Sequence, residues 1–177
     1  MNKENIKVLI SKEELHERIK ILAQQISNDY NGRDLVIISI LKGGAYFAID
    51  LSKEITECDV IMDFMKVSSY GNAMVSSGDI KFILDLSVDI KDRDVLIVED
   101  IIDSGRTLAF LSEYLKKKEP SSLKICTLLD KKERREIDVS VDYCGFLIED
   151  KFVLGYGLDY FDKFRNLDYI AYVEEEK

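Results

Sequence analysis

Val95 to Leu108 reads VLIVEDIIDSGRTL, and the fold follows from what this stretch joins. Its apolar residues form a strand ending near Val98. Three carboxylates (Glu99, Asp100 and Asp103) come next, and a small-residue turn leads into a helix from about Gly105 to Lys118. The turn Asp103-Ser104-Gly105-Arg106-Thr107 has its amides pointing into one concavity at the positive end of a helix dipole, which suits an anion. Like charge beside it should repel that anion. The conflict disappears if one ligand carries both kinds of group. Carboxylates at the edge of an apolar interior need donors or a cation, and a vicinal diol, as on ribose, offers two hydroxyl donors while magnesium supplies the rest. Taken alone, the turn reads equally well as an ordinary strand–helix connection with a capping Asp or Ser, and the P-loop pattern is absent.

Outward from that stretch, the pattern repeats. Leu35 to Ile40 is a short apolar strand followed by Lys42-Gly43-Gly44 and a helix through about Ile55. Val60 to Ser69 and Ile80 to Leu86 read as strands around the polar loop 70–78. Leu123 to Leu129, Tyr143 to Ile148 and Tyr169 to Val173 read as further strands. Near the start, Ser11-Lys12-Glu13-Glu14 has the form of a capping box, and Leu15, Ile19, Leu22, Ala23 and Ile26 share one helical face. Strands that are apolar throughout and separated by helices imply an α/β fold with a mainly parallel sheet covered on both faces. Ligands of such sheets sit at the carboxyl ends of the strands. Lys42-Gly43-Gly44, Glu99 to Thr107 and Asp130-Lys131 therefore share one rim.

The bulk properties narrow the class. A chain of 177 residues, 46% hydrophobic and 33% charged, is read as one domain, 1–177, with a sizeable core. No apolar run approaches the ~20 residues of a membrane helix, and the first residues lack the apolar stretch of a secretory signal. Cys58, Cys126 and Cys144 have no metal or disulfide spacing and read as reduced thiols of a cytoplasmic protein. A net charge of −9 argues against nucleic acid as partner. His16, the only histidine, lies far from every motif, so histidine chemistry is not expected. Lys132 to Glu136 reads as a solvated charge run.

VLIVEDIIDSGRTL resembles the phosphoribosyl-diphosphate signature of the type I phosphoribosyltransferases, and residues from about 8 to about 173 resemble their hypoxanthine-guanine branch. The resemblance implies that family's fold: a central, mainly parallel sheet flanked by helices, a hood from about 150–170 and a mobile lid at about 67–79. It implies that Glu99 and Asp100 hold the ribose hydroxyls and that Asp103, Ser104, Gly105, Arg106 and Thr107 wrap the 5′-phosphate. Asp103 would be the catalytic residue facing N7 of the purine, although that contact leaves the proton's route open. Leu41-Lys42-Gly43-Gly44 resembles the pyrophosphate loop, with Lys42 and Gly43 binding. Val67-Ser68-Ser69-Tyr70-Gly71 resembles the lid, with Ser69 and Tyr70 closing over the pyrophosphate. Lys131 takes the position that donates to the purine O6.

In Asp150-Lys151-Phe152-Val153-Leu154-Gly155-Tyr156-Gly157-Leu158-Asp159, Phe152 would stack on the purine and Val153 would meet its pyrimidine-ring edge. Asp159 resembles a ligand of a pyrophosphate-bound magnesium, and Arg165 a pyrophosphate-neutralising residue. The metal set implied is Glu99, Asp100 and Asp159, and the cofactor Mg2+. The partners implied are phosphoribosyl diphosphate and 6-oxopurine bases, with a dimer or tetramer as assembly and no nucleic acid or membrane. The activity implied is transfer of the phosphoribosyl group to hypoxanthine or guanine in purine salvage. Two residues depart from the pattern: Arg106 stands where some relatives have Lys, and Asp130 precedes Lys131, where it could pair with it or bias base preference. Three alternatives stay open: a xanthine or pyrimidine phosphoribosyltransferase, an RNA-binding nucleotide sensor on the same fold, and a catalytically dead nucleotide-binding protein.

Overall fold

The computed structural model describes residues 6–69 and 80–174. Along the chain run β1 (Ile6–Ile10), α1 (Lys12–Asp29), β2 (Asp34–Ile40), α2 (Gly44–Glu54), β3 (Asp59–Ser69), β4 (Ile80–Leu84), β5 (Asp94–Ile102), α3 (Arg106–Lys116), β6 (Ser122–Asp130), β7 (Tyr143–Leu147), β8 (Val153–Leu154) and β9 (Ile170–Val173). A 3-10 turn, Lys132–Arg134, follows β6. The expected capping box starts α1: Ser11 Oγ accepts from the Glu14 amide at 3.2 Å and Glu14 Oε2 accepts from the Ser11 amide at 2.8 Å. The five apolar residues assigned to its inner face are all buried.

Six strands form the main sheet in the order β4-β3-β2-β5-β6-β7, parallel except for β4, which runs antiparallel to β3. Alternation sorts each strand's residues between two cores. Leu35, Ile37, Leu96, Val98 and Leu128 face α1 and α2, while Val36, Ile38, Ile40, Val95, Ile97 and Ile125 face Leu108, Leu111 and Leu115 of α3. Both sheet faces are thus covered, which explains why the strands carry apolar residues at every position. Among the described residues no helix is long and apolar enough to cross a membrane.

This winding locates the site. From β2 the chain crosses through α2 to β3 on one side; from β5 it crosses through α3 to β6 on the other. The strand order therefore reverses between β2 and β5, and a crevice opens outside their carboxyl ends. Register widens it. Pairing of β2 with β5 stops at Ser39 opposite Val98, whereas β5 stays paired with β6 as far as Ile102 opposite Asp130. The strand expected to end near Val98 thus continues through both acids, supported on one side only.

A second, three-stranded sheet has the order β1-β9-β8, with β1 antiparallel to β9 and β9 to β8, and its Ile10, Val153 and Ile170 join the core on the α1 and α2 side. Neither β1 nor β8 is among the strands expected from the sequence. The first is five residues with partly exposed side chains, and its partner lies at the other end of the chain.

Away from the crevice, Asp63 pins β3 to the turn before β5. It accepts from the amides of Phe64 (2.8 Å), Ser87 (2.7 Å) and Val88 (3.0 Å) and from the Ser87 hydroxyl (3.0 Å). Burial works to raise its pKa, but the Val88, Phe64 and Ser87 amides and the Ser87 hydroxyl outweigh it and hold the carboxyl below its ordinary 3.8. Asp63→Ala is expected to cost about 2 kcal/mol, since hydrogen bonds to a charged group are among the stronger ones. A depressed folded-state pKa gives stability that is present above the unfolded value and lost as pH falls through the folded one. The wild-type advantage in urea midpoint should accordingly be full at neutral pH and vanish in acid.

Candidate active site

Three loops meet at the switch point. The turn after β5 lines a cavity of about 240 Å3 together with Leu41 and Glu99, contributing Asp103, Ser104, Gly105 and Thr107. Gly105 takes φ +82°, and a Cβ there would come within 2.6 Å of the Ile137 carbonyl and 2.9 Å of Arg135 Cδ. Both the conformation and the close approach require glycine. The Glu136 and Ile137 amides donate to the Ser104 carbonyl at 3.0 and 3.1 Å, so the segment after Lys131 buttresses this turn from behind. The first-turn amides of α3 have no intrahelical acceptors; the Arg106 amide donates weakly to Ser104 Oγ at 3.4 Å, and the turn offers its remaining amides to an anion.

Glu99 and Asp100 are buried, 9% and 8% exposed. The hydrogen bonds they accept among the described residues come from neighbouring amides: Asp100 N to Glu99 Oε1 at 3.3 Å and Ile101 N to Asp100 Oδ1 at 2.8 Å. Burial first, and then the adjacent Asp100 charge, pushes Glu99 well above the ordinary carboxylate range. Burial also raises Asp100, against the pull of its hydrogen bonds and of Arg165. Burial disfavours the charged form of both carboxylates, and hydroxyl donors or a cation would stabilise it.

Asp100 reaches under the loop after β2. A Cβ on Gly43 would sit 1.5 Å from Asp100 Oδ2, so no side chain fits between the loop and the carboxylate. The Leu41–Lys42 peptide in this loop is cis. On its far side Gly157, at φ +98°, packs against the Gly43 carbonyl, which a Cβ would approach to 2.2 Å. Arg165 donates to the Gly157 carbonyl at 2.6 Å and to Asp159 Oδ1 at 2.5 Å, and Asp159 Oδ2 accepts from the Asp162 amide at 2.8 Å. Lys42 Nζ lies 3.2 Å from Asp162 Oδ1. Lys42, Gly43, Asp159 and Arg165 are therefore brought to one place beside Asp100.

The third group lies at the end of β6. Lys131 is 7% exposed; its amide donates to the Ile102 carbonyl at 3.0 Å and its ammonium sits 3.4 Å from Asp150 Oδ1. Asp130 pairs with Arg135 rather than with Lys131. Residues 132–136 face solvent as a charge run should, except for half-buried Arg135, but three of these exposed or half-exposed side chains also form ion pairs. Arg134 Nε lies 2.7 Å from Asp103 Oδ1, an ion pair without hydrogen-bond alignment, and its Nη1 donates to Asp150 Oδ2 at 3.2 Å. Arg135 meets buried Asp130, and Glu136 accepts from Arg106 Nε at 2.7 Å. The cause is the 3-10 turn, which folds the run back against the Asp103–Gly105 turn.

The remaining expected residues lie as follows. Arg106 directs its side chain to Glu136, leaving its backbone to the turn. Phe152 is exposed and meets Tyr160 edge-on, with ring centroids 5.4 Å apart; Val153 is buried in β8. Ser69 ends β3, whose final residues Val67 to Ser69 belong to the strand, while Tyr70 and the rest of the expected lid, 70–79, lie outside the described residues.

Whether magnesium fits can be asked of the donors. Among the described residues no three His, Cys, Asp or Glu side chains converge on one point, so Glu99, Asp100 and Asp159 do not form a closed cage. Magnesium does not need one. It binds through one or two carboxylates with water and phosphate oxygens completing its shell, and the oxygen-only Glu99–Asp100 pair is a donor set of that kind.

Residues 11–160 match the phosphoribosyl transferase domain family. The chain belongs to that family. Among curated relatives of this phosphoribosyltransferase, the Bacillus subtilis (strain 168) hypoxanthine-guanine phosphoribosyltransferase is 48% identical over 93% of this chain and 91% of its own length. The Escherichia coli (strain K12) hypoxanthine phosphoribosyltransferase is 47% identical over 97% of each. The chain spans 26% of the length of the Bifunctional protein TilS/HprT of Listeria monocytogenes serotype 4b (strain F2365), at 47% identity. Among solved structures, a hypoxanthine-guanine phosphoribosyltransferase from Bacillus anthracis str. 'Ames Ancestor' superposes with a TM-score of 0.90, 48% identical over 95% of this chain and 98% of that one. A hypoxanthine phosphoribosyltransferase from Staphylococcus aureus gives 0.92, at 43% identity over 97% and 93%. The fold is that of the type I phosphoribosyltransferases.

Proposed function

We propose that this phosphoribosyltransferase joins hypoxanthine or guanine to the 5-phosphoribosyl group of phosphoribosyl diphosphate, giving IMP or GMP and releasing pyrophosphate in purine salvage. One observation carries the reading of the site. A buried carboxylate pair stands at the switch point between an amide turn on one side and the Lys42-Gly43-Gly44 loop on the other. Those three elements match the three parts of phosphoribosyl diphosphate: ribose diol, 5′-phosphate and pyrophosphate.

Each group then has a task. Glu99 and Asp100 accept from the two ribose hydroxyls and fix the sugar so that C1′ faces the base. The amides of Ser104 to Thr107, with the Ser104 and Thr107 hydroxyls, hold the 5′-phosphate. Lys42 and Arg165 take up the charge that develops on the departing pyrophosphate. Asp103 accepts the proton that leaves N7 as N9 bonds to C1′, so the base need not carry positive charge. Glu99 and Asp100, or Asp159, would hold magnesium, which would supply Lewis-acid stabilisation of the leaving group.

Lys131 selects the base. An ammonium carries donors and no acceptor; it suits a 6-oxo group and meets a second donor in the 6-amino group of adenine. A buried mismatch of that kind rejects a base by ~10⁴-fold or more. An absorbance assay with phosphoribosyl diphosphate, magnesium and each purine should show nucleotide formed from hypoxanthine and guanine and none from adenine. Adenine turnover matching that of hypoxanthine would remove Lys131 from this role. Cytoplasmic location and assembly as a dimer or tetramer belong to the same proposal, the latter read by light scattering.

A further inference from the structure

The charges around Asp103 and Lys131 form a single alternating chain. Asp103 Oδ1 lies 2.7 Å from Arg134 Nε, Arg134 Nη1 lies 3.2 Å from Asp150 Oδ2, and Asp150 Oδ1 lies 3.4 Å from Lys131 Nζ. Its two ends are the acceptor and the donor that the proposed function assigns to the purine. N7 and O6 are neighbours on one edge of a 6-oxopurine, so the two end groups must be held at a matching separation to engage both atoms together. They come from different elements: Asp103 follows β5, and Lys131 follows β6. Neither is fixed by the other.

We propose that Arg134 is a positioning residue that sets the spacing of this purine-reading pair. The assignment rests on the function proposed above. A guanidinium is planar and spreads its charge over several nitrogens, so it can face two carboxylates at once. Nη1 donates to Asp150, which in turn meets the Lys131 ammonium, while Nε holds Asp103 by charge alone. The Arg134 hydrogen bond, with Lys131 adding to it, holds Asp150 below its ordinary range. Arg134 itself comes from the 3-10 turn, where its amide donates to the Lys131 carbonyl at 3.1 Å. The residue whose head must be placed thus begins the turn that places it. Arg134 touches neither the Glu99–Asp100 pair nor the Lys42–Asp159–Arg165 group, so its influence should fall on the base and spare the sugar diphosphate.

The test varies hypoxanthine and phosphoribosyl diphosphate separately for wild type, Arg134→Gln, Asp150→Asn, the double variant and Arg134→Lys, with thermal unfolding of each. Arg134 is half exposed, so its loss should leave Tm within about 1 °C. Arg134→Gln should raise KM for hypoxanthine about tenfold and leave KM for phosphoribosyl diphosphate within about twofold. Asp150→Asn should do the same, and the double variant should be no worse than the larger single effect, as for residues of one network. Arg134→Lys should recover only part, because an ammonium meets one carboxylate at a time. An unchanged hypoxanthine KM in Arg134→Gln, equal rises in both KM values, or additive single effects would overturn the assignment while wild type remains active. A wild type that forms no nucleotide from either 6-oxopurine overturns the function on which it rests.

Discussion

Asp103→Asn should form nucleotide at least about a hundredfold more slowly than wild type, the scale of a positioned general base. Phosphoribosyl diphosphate should bind within about threefold of its wild-type affinity. The substitution preserves shape and one acceptor oxygen while removing the ability to take a proton. Asp103 shares its turn with the proposed phosphate amides but contributes no hydrogen bond that holds the turn. The turn is instead secured by the Glu136 and Ile137 amides on the Ser104 carbonyl. Arg134 loses one carboxylate and keeps Asp150, so Tm should change by no more than a degree or two. Stopped-flow measurement of the chemical step decides the matter. A loss of about tenfold or less would mean that the side chain only hydrogen-bonds to N7 and that the proton leaves by another path.

Glu99→Gln with Asp100→Asn should abolish detectable turnover and, without ligand, make the protein more stable than wild type. Both carboxylates sit with their pKa raised by burial, and Glu99 additionally by its neighbour. A carboxylate whose folded-state pKa is raised binds its proton more tightly folded than unfolded, so stability falls as pH rises from the unfolded value through the folded one. The amide variant has no such slope from these two positions. Its advantage should be absent at low pH and grow on the way to neutrality, reaching about 1–2 kcal/mol, or roughly 2–4 °C in Tm for each kcal/mol at this chain length. A variant that melts below wild type at neutral pH would show that the pair is satisfied by the protein alone and is not held for a ligand.

How much could be read in advance differs from element to element, for physical reasons. VLIVEDIIDSGRTL was legible because strand, turn and helix signals are local and consecutive, and the fold class followed from it. The α1 capping box and its apolar face were legible for the same reason. Not legible was the extension of β5 beyond Val98, because β6 alone supports it there. Nor was β1 legible, since its pairing spans nearly the whole chain.

Within the site, Gly43 announced a close approach but not what approaches; Asp100 answers that only in three dimensions. Arg134 is not singled out by the sequence, because a charge run ordinarily faces water, as this one largely does. Its position directly after a strand end on the binding rim was the available signal. The same segment hid the partner of Asp130, for Arg135 reaches it only once the 3-10 turn has formed.

The central claim is that side-chain acids grip the pentose while backbone amides beside them hold its phosphate. A calorimetric cycle tests it most directly: IMP and its 2′,3′-dideoxy counterpart titrated into wild type and into the Glu99→Gln/Asp100→Asn variant. Wild type should bind IMP more tightly than the dideoxy nucleotide by about 2 kcal/mol or more, as for hydrogen bonds to charged acceptors, and the difference should vanish in the variant. If wild type bound both nucleotides equally, or if the variant kept the full difference, the acids would not be holding the sugar.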